Sequence, residues 1–257
     1  MKILGIIPAR YASTRFPAKV LADIKGKTMI RRVYEQVAKS KLLSEVYVAT
    51  DHELIAKEVK SFGGKVIMTA ANHPSGTDRC FEGLQIVQDL QDKSQNSLYN
   101  YVINIQGDEP FIRPEQIDLL AQSLTDGKGE VELATMMLQA QNQEDLDNNS
   151  EVFVTFNTNF EALYFSRFPI PFQQKVPKSQ WLSTHSYYKH LGMYAYRADI
   201  LERITKLSVS SLEKCESLEQ LRWLENGFKI KLVSTEHDSY CIDTPEDLAK
   251  VLAMFEG

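Results

Sequence analysis

The chain opens with short unbroken apolar runs, each followed by apolar positions at helical spacing. Lys2-Ile3-Leu4-Gly5-Ile6-Ile7 reads as a buried strand. After the turn Lys25-Gly26-Lys27, the residues Met29, Ile30, Val33, Tyr34 and Val37 fall on one face of a helix. Glu45–Thr50 is a second strand, Asp51 is placed to cap a helix carrying Leu54, Ile55 and Val59, and Gly63-Gly64 stops it. Lys65–Thr69 is a third, short strand. The β-α-β-α-β order predicts an α/β protein whose mostly parallel sheet is covered by helices through right-handed crossovers.

The alternation continues and then breaks. A helix with Phe81, Leu84, Ile86 and Val87 follows the loop His73–Arg79, and Ser75 or Thr77 can cap it. The polar stretch Asp92–Ser97 leads to a buried strand at Tyr101–Ile105, and Pro114 opens a helix bearing Ile117, Leu119 and Leu120. Strand-like runs at Val131–Leu138, Glu151–Phe156, Ala162–Ser166 and Tyr187–Arg197 then succeed one another, interrupted by a proline-rich loop at Phe168–Pro177. With no linker-like shift in composition, the expectation is one domain, 1–257. Residues 150–197 form a flap or association excursion where a second substrate enters. A helix is expected over Glu213–Asn226 with Leu218, Leu221 and Leu224 inward, then a strand at Lys229–Val233. Tyr240-Cys241-Ile242-Asp243 reads as a strand ending in an acid, before a helix that starts near Pro245.

Composition narrows the class. With 43% hydrophobic and 25% charged residues over 257 positions, the chain can bury an ordinary globular core. A net charge of -5 argues against a nucleic-acid-binding protein, so any anion site must be local. The three cysteines, Cys80, Cys215 and Cys241, are widely spaced without a CxxC, which fits a reducing compartment and no zinc motif. No run has the length of a signal peptide core or a membrane span, so a cytoplasmic protein without membrane contact is expected.

Against that acidic background the first loop is cationic. Lys2, Arg10, Arg15 and Lys19 precede the first acid, Asp23, and Ser13 and Thr14 add hydroxyls. Arginine forks and a mobile ammonium leaving the end of a core strand suit a polyphosphate, and Pro8 and Pro17 stiffen the loop. Neither a Walker loop nor a dinucleotide fingerprint is present, so side chains must hold the phosphates. Ser75, Arg79 and the helix start between them suit a base edge or a phosphate as well as they suit a plain capped helix. Gln106-Gly107-Asp108-Glu109-Pro110 brings an acid past a central strand, either as a solvated turn or as a magnesium ligand beside phosphates. Asp243, before Thr244-Pro245, reads as the common N-cap of a helix as well as a ligand. In the excursion, Arg167, His190 and Tyr194 stand out. The last two, four residues apart, share a face of an extended strand. Glu219 and Gln220 face either a pocket or water.

Taken together, Pro8-Ala9-Arg10-x-x-Ser13-x-Arg15-x-Pro17-x-Lys19, Ser75-Gly76-Thr77-Asp78-Arg79, Gln106-Gly107-Asp108-Glu109-Pro110, Tyr164-Phe165-Ser166-Arg167, His190-Leu191-Gly192-x-Tyr194, Leu218-Glu219-Gln220-Leu221-Arg222 and Asp243-Thr244-Pro245-Glu246-Asp247 closely resemble the 3-deoxy-manno-octulosonate (Kdo) cytidylyltransferases across essentially the whole chain. The resemblance implies a nucleotide-diphospho-sugar transferase fold, Rossmann-like, in a homodimer. It also implies conversion of CTP and Kdo to CMP-Kdo and pyrophosphate with Mg2+, for lipopolysaccharide synthesis. Carried over by position, Arg10, Ser13, Arg15 and Lys19 match the triphosphate holders, and Ser75, Arg79 and Gln106 lie near the nucleotide. Asp108 and Asp243 match the metal acids. Arg10, Lys19, Asp108 and Asp243 are the implied catalytic set. Arg167, His190, Tyr194, Glu219 and Gln220 match the sugar-acid pocket. The chain departs from the family where Phe153 replaces a common lysine, and where Ala18 and Ala195 replace common glycines. The first departure makes an amino-substituted Kdo or a sialic acid the rival substrate, and a non-catalytic nucleotide or sugar-acid binding protein is the rival class.

Overall fold

The computed structural model describes residues 1–13, 15–91 and 98–254, so Thr14 and the polar stretch 92–97 lie outside the described residues. The chain forms two compact units, Met1–Gln122 together with the chain from Ser239 onward, and Ser123–Asp238. The 150–197 excursion expected from the sequence falls inside the second.

In the first unit, β1 (Ile3–Ala9), β4 (Glu45–Thr50), β5 (Val66–Met68) and β6 (Tyr101–Asn104) pair in the order β6-β1-β4-β5, all parallel. A small hairpin, β2 (Asp23–Ile24) with β3 (Lys27–Thr28), turns at Lys25-Gly26 as its sequence demands. The helices are α1 (Met29–Val37), α2 (Glu53–Ser61), α3 (Gly76–Leu90), α4 (Pro114–Asp126) and, from the end of the chain, α10 (Pro245–Met254). Strand β1 is buried on both faces because helices cover both sides of a parallel sheet, which is why it reads as an unbroken apolar run. Ser75 is the cap of α3, its hydroxyl accepting from the Asp78 amide. The cap of α2 corrects the sequence reading. His52 Nδ1 accepts from the Leu54 amide, which leaves the Asp51 carboxylate to accept from the Tyr11 amide and face Arg79.

In the second unit, β7 (Leu133–Gln139), β8 (Phe153–Phe156), β9 (Ala162–Ser166), β10 (Tyr188–Arg197) and β11 (Ile230–Thr235) pair in the order β11-β7-β10-β8-β9. Only β11 and β7 are parallel there. Short helices α5 (Gln143–Asp147), α6 (Trp181–Thr184), α7 (Ala198–Thr205), α8 (Ser211–Glu216) and α9 (Gln220–Glu225) complete it. The single helix expected over 213–226 is broken in two, because Ser217 adopts a left-handed conformation with φ of 55°. Leu218 and Leu221 are buried as expected, whereas Leu224 is only half-buried.

Phe153 is wholly buried with Ala140, Leu146, Trp181 and Tyr187. Its cross-strand neighbour is Lys189. That lysine is 3% exposed, with Nζ 2.7 Å from Asp238, 3.2 Å from Asp145 and 3.5 Å from Glu151. Burial alone would lower the Lys189 pKa, but hydrogen bonding to Asp238 and the charges of Glu151 and Asp145 outweigh it and hold the ammonium charged. Burial raises Glu151 in return.

Candidate active site

A cleft of about 250 Å³ opens in the first unit where β1 and β6 release their loops. Arg10, Ser13, Lys19, Ser75, Arg79, Gln106, Asp108 and Asp243 all line it, together with Pro8, Val20, His73 and Gly107. Arg15 joins from the rim through an ion pair with Asp243 at 3.0 Å. Every residue expected at the triphosphate and metal end thus meets at one place.

The cationic loop is pinned at both ends. The Tyr11 amide donates to Asp51, the Tyr11 carbonyl accepts from the Ala18 amide at 3.1 Å, and the Tyr11 ring stacks on His52 at 3.8 Å. Phe16 packs into an apolar cluster of Ile24, Met29, Ile242 and Val251. Burying Phe16 turns its neighbour Arg15 outward, and burying Ile242 does the same for Asp243. Ala18 closes the loop at φ 55° ψ 24°, a left-handed conformation that strains any residue with a Cβ. Ala18→Gly is therefore expected to stabilise the fold by about 1 kcal/mol, read as a raised midpoint in urea unfolding.

Gly107 explains how Asp108 comes so near β1. A Cβ built there would lie 3.0 Å from the Pro8 carbonyl oxygen, so glycine lets the two strand ends converge without pushing that carbonyl aside. The Ile242 amide then donates to the Asp108 carbonyl at 2.9 Å, tying the distant 240–243 segment alongside. That segment is irregular backbone, not the expected strand end. Nor is Asp243 the cap of α10. The Thr244 hydroxyl accepts from the Asp247 amide and Asp247 accepts from the Asp243 and Thr244 amides, so capping leaves the Asp243 carboxylate available.

Between the two acids stands Lys19, with Nζ 2.5 Å from Asp108 and 2.7 Å from Asp243. Burial would lower its pKa, but the two carboxylates outweigh that and raise it. Burial would raise Asp243, and the bond to Lys19 with the charge of Arg15 brings it below its ordinary value. The second oxygen of Asp108, Oδ1, is buried with no hydrogen-bond partner among the described residues. Cys241 brings its sulfur near the same acids, so that donor atoms of Asp108, Cys241 and Asp243 lie within 4.8 Å of one another. Crowding of that thiol and the charges of both aspartates push its pKa up, although the residue as a whole is exposed.

Arg79 is 4% exposed, donates to Thr69 at 2.6 Å and faces Asp51 at 3.7 Å. It presents a braced cationic wall more than a free hand. His73, assigned no role from sequence, lines the cleft and bonds Glu82, whose carboxylate also accepts from the Ala70 amide. Its signal was only its place two residues before Ser75.

The residues expected at the sugar-acid pocket lie in the second unit. A bulge between Leu191 and Tyr194 brings the His190 and Tyr194 rings to 5.2 Å. An unbroken strand would separate positions four apart by about 13 Å, so the irregularity makes this pair and the alternation alone does not. Burial lowers the His190 pKa to about 3, so its imidazole is neutral and shares a hydrogen bond of 3.0 Å with Thr135. Glu219, at the start of α9, is close enough for its charge to help raise the Tyr194 phenol, whose main cause is burial. Gln220 is buried beside it in sequence. Arg167 follows β9 and donates to the Glu216 and Ser217 carbonyls, so part of its work is to hold the kink between α8 and α9.

The depressed His190 has a consequence for stability. The unfolded chain takes up this proton near pH 6.5, whereas the folded chain does so only near 3. Stability from this group is therefore intact above about pH 6.5 and is lost as pH falls toward 3, by at most about 1.4 kcal/mol per unit. His190→Gln is expected to flatten the Tm-against-pH curve in that window.

Residues 4–230 match the sequence model of the cytidylyltransferase family. A 3-deoxy-manno-octulosonate cytidylyltransferase of Cytophaga hutchinsonii is 52% identical over 98% of this chain and 96% of its own. That of Phocaeicola vulgatus is 51% identical over 100% and 98%. The chain belongs to the 3-deoxy-manno-octulosonate cytidylyltransferase family. A solved CMP:2-keto-3-deoxy-manno-octonic acid synthetase complexed with CTP superposes with a TM-score of 0.87 at 38% identity, covering 100% of this chain and 99% of that one. The cytidylyltransferase fold thus accounts for the α/β architecture and the mostly parallel sheet. Among the described residues, no helix is long and apolar enough to cross a membrane.

Proposed function

We propose that this chain transfers the cytidylyl group of CTP to Kdo, giving CMP-Kdo and pyrophosphate. The observation that carries the reading is the meeting of Lys19 with Asp108 and Asp243 in a cleft lined by the loop cations. A cation cluster with two acids set into it is what a nucleoside triphosphate and its metal need. Arg10, Ser13, Arg15 and Lys19 hold the triphosphate, with Ser75, Arg79 and Gln106 toward the rest of the nucleotide. The second unit's Arg167, His190, Tyr194, Glu219 and Gln220 hold the sugar acid. A neutral His190 offers the sugar a hydrogen bond and not a charge, which leaves charge recognition of its carboxylate to Arg167.

The anomeric hydroxyl attacks the α-phosphorus in line, and the bond to pyrophosphate loosens as negative charge gathers on the phosphate oxygens. Arg10 and Lys19 stabilise the leaving pyrophosphate by position and charge, without a covalent intermediate. The buried, unpartnered Asp108 Oδ1 and the all-oxygen character of the two aspartates fit Mg2+, with Asp108 and Asp243 as its holders. When bound, such an ion acidifies the nucleophile and spreads phosphate charge. With the acids so engaged, Lys19 would turn from them to the phosphates, its ammonium serving as their counterion in the empty cleft and as a charge for the leaving group during transfer.

The two units act as one cytidylyltransferase domain in a cytoplasmic homodimer that supplies lipopolysaccharide synthesis. Exposed Leu163, Phe168 and Phe172, the last 68% accessible, support the association face in the excursion. Phe153, the departure that pointed toward another sugar acid, is buried in a core cluster and gives that rival no support. Pyrophosphate release from CTP with Mg2+ tests the reading, with Kdo, an amino-substituted Kdo and a sialic acid compared. Release fastest with Kdo is expected. Preference for another acid, or CTP binding with no release from any, would replace it.

A further inference from the structure

His73 lines the nucleotide cleft from the loop between β5 and α3, wholly within the first unit, with its side chain 17% exposed. That loop leaves β5, three strands across from β6, after which Asp108 follows. At about 4.8 Å per strand, the loops that form the two walls start about 14 Å apart. A nucleotide laid across that edge with its triphosphate at Lys19 therefore brings its base to the His73 wall. The imidazole is held there by one nitrogen. Nε2 bonds the Glu82 carboxylate, and Glu82 also accepts from the Ala70 amide at 2.8 Å, so one acid on α3 closes both ends of the 70–73 turn. Burial would raise the Glu82 pKa, but these two bonds and the charges of His73 and Arg79 bring it below its ordinary value. The carboxylate is an anion that only accepts, so His73 must donate from Nε2, which in the neutral ring leaves Nδ1 as a lone-pair acceptor. Nδ1 has no hydrogen-bond partner among the described residues.

Cytosine and uracil differ in the group that such an acceptor meets. Cytosine carries an amine at C4, a donor, where uracil carries a carbonyl oxygen. We propose that His73 reads the base of the nucleotide by accepting from the cytosine 4-amino group at Nδ1, and that Glu82 sets this selectivity by fixing the tautomer. This rests on the reading of the cleft as a CTP site. Uracil would set its oxygen against the Nδ1 lone pair with no proton between them, so the site rejects UTP by repulsion as well as by a lost bond. His73 is thus a specificity-determining residue that touches the base, and Glu82 is a positioning residue that acts through it.

The test compares kcat/KM for CTP and UTP with Kdo and Mg2+, alongside thermal melts of the same preparations. The parent should prefer CTP. His73→Ala is expected to lower kcat/KM for CTP by at least about tenfold and to leave UTP within about twofold, so the preference falls about tenfold or more. Glu82→Gln replaces the anion with an amide that can donate to Nε2, which frees the ring to carry its proton on Nδ1. That proton suits the uracil oxygen, so UTP should rise while CTP falls, an outcome that simple loss of the fold cannot give. Equal losses for both nucleotides in His73→Ala, a Glu82→Gln variant that keeps the parent's CTP-to-UTP ratio, or a parent without preference for CTP overturns the proposal. Calorimetric binding of CTP to the parent tests the foundation separately. If CTP binds and the ratio is unmoved in both variants, the cytidylyl reading stands and the His73 assignment falls. If the parent binds no CTP, the nucleotide reading fails and takes the base contact with it.

Discussion

Asp108→Asn is expected to lower the rate of CMP-Kdo formation at saturating CTP by about a hundredfold to a thousandfold, equal to about 3 to 4 kcal/mol of lost transition-state stabilisation. The change keeps the shape and removes a charge. It leaves Lys19 held by Asp243 alone and removes one of the two acids that fit a metal. Because Asp108 Oδ1 is already without a partner, the neutral amide puts no new unpaired carboxylate in the interior, and Tm should move by only a few degrees. Lys19→Ala should lose activity to a similar degree, with a larger effect on CTP binding, since its charge serves the phosphates directly. Steady-state pyrophosphate release and thermal melts on the same preparations separate the two quantities. Turnover near that of the parent in Asp108→Asn would remove the acid from the mechanism.

Lys189→Met should cost about 3 to 5 kcal/mol of folding stability, because it strands three carboxylates around a buried position. For a chain of this size that corresponds to a fall in Tm of about 10 °C. The ammonium is 3% exposed and is the shared partner of Asp145, Glu151 and Asp238, which come from α5, the segment just before β8 and the segment after β11. It fastens three segments of the second unit with one charge. Lowering the pH supplies the control. As Glu151, which burial raises above its ordinary 4.5, and then Asp145, which its bonds hold below its ordinary 3.8, take up protons, they no longer need the ammonium, so the penalty should shrink as the pH falls from above 4.5 to below 3.8. A penalty that stays constant across that range would mean that packing, not charge, is what Lys189 contributes.

The first unit is largely legible in the sequence because its signals are local. Glu45–Thr50 is a strand at both levels, and Ser75 caps α3 as its position suggested. The cationic loop declared itself by charge against an acidic background, and Gln106 and Asp108 join Arg10, Ser13 and Lys19 in the cleft because β1 and β6 are parallel neighbours that end on the same edge. What stayed hidden depends on contacts distant in sequence. That Thr244 and not Asp243 caps α10 follows from where Asp247 can reach, and that His52 and not Asp51 caps α2 follows from the competing claims of Tyr11 and Arg79. The break at Ser217 was invisible because nothing in Glu213–Asn226 marks a non-glycine residue for the left-handed region. Cys241 was read only for its lack of a cysteine partner, and its nearness to two aspartates emerges only once the Ile242 amide finds Asp108.

The hydrogen where Gly107 lacks a side chain has a reach beyond its own turn. Because main chain there touches main chain, with the Pro8 oxygen 3.0 Å from where a methyl would sit, the spacing between the phosphate-gripping loop and the acid that follows is machined into the peptide skeleton. One added carbon at that hinge would act as a wedge, pressing the Pro8 carbonyl away by a few tenths of an ångström and loosening the gauge between the loop and the acid.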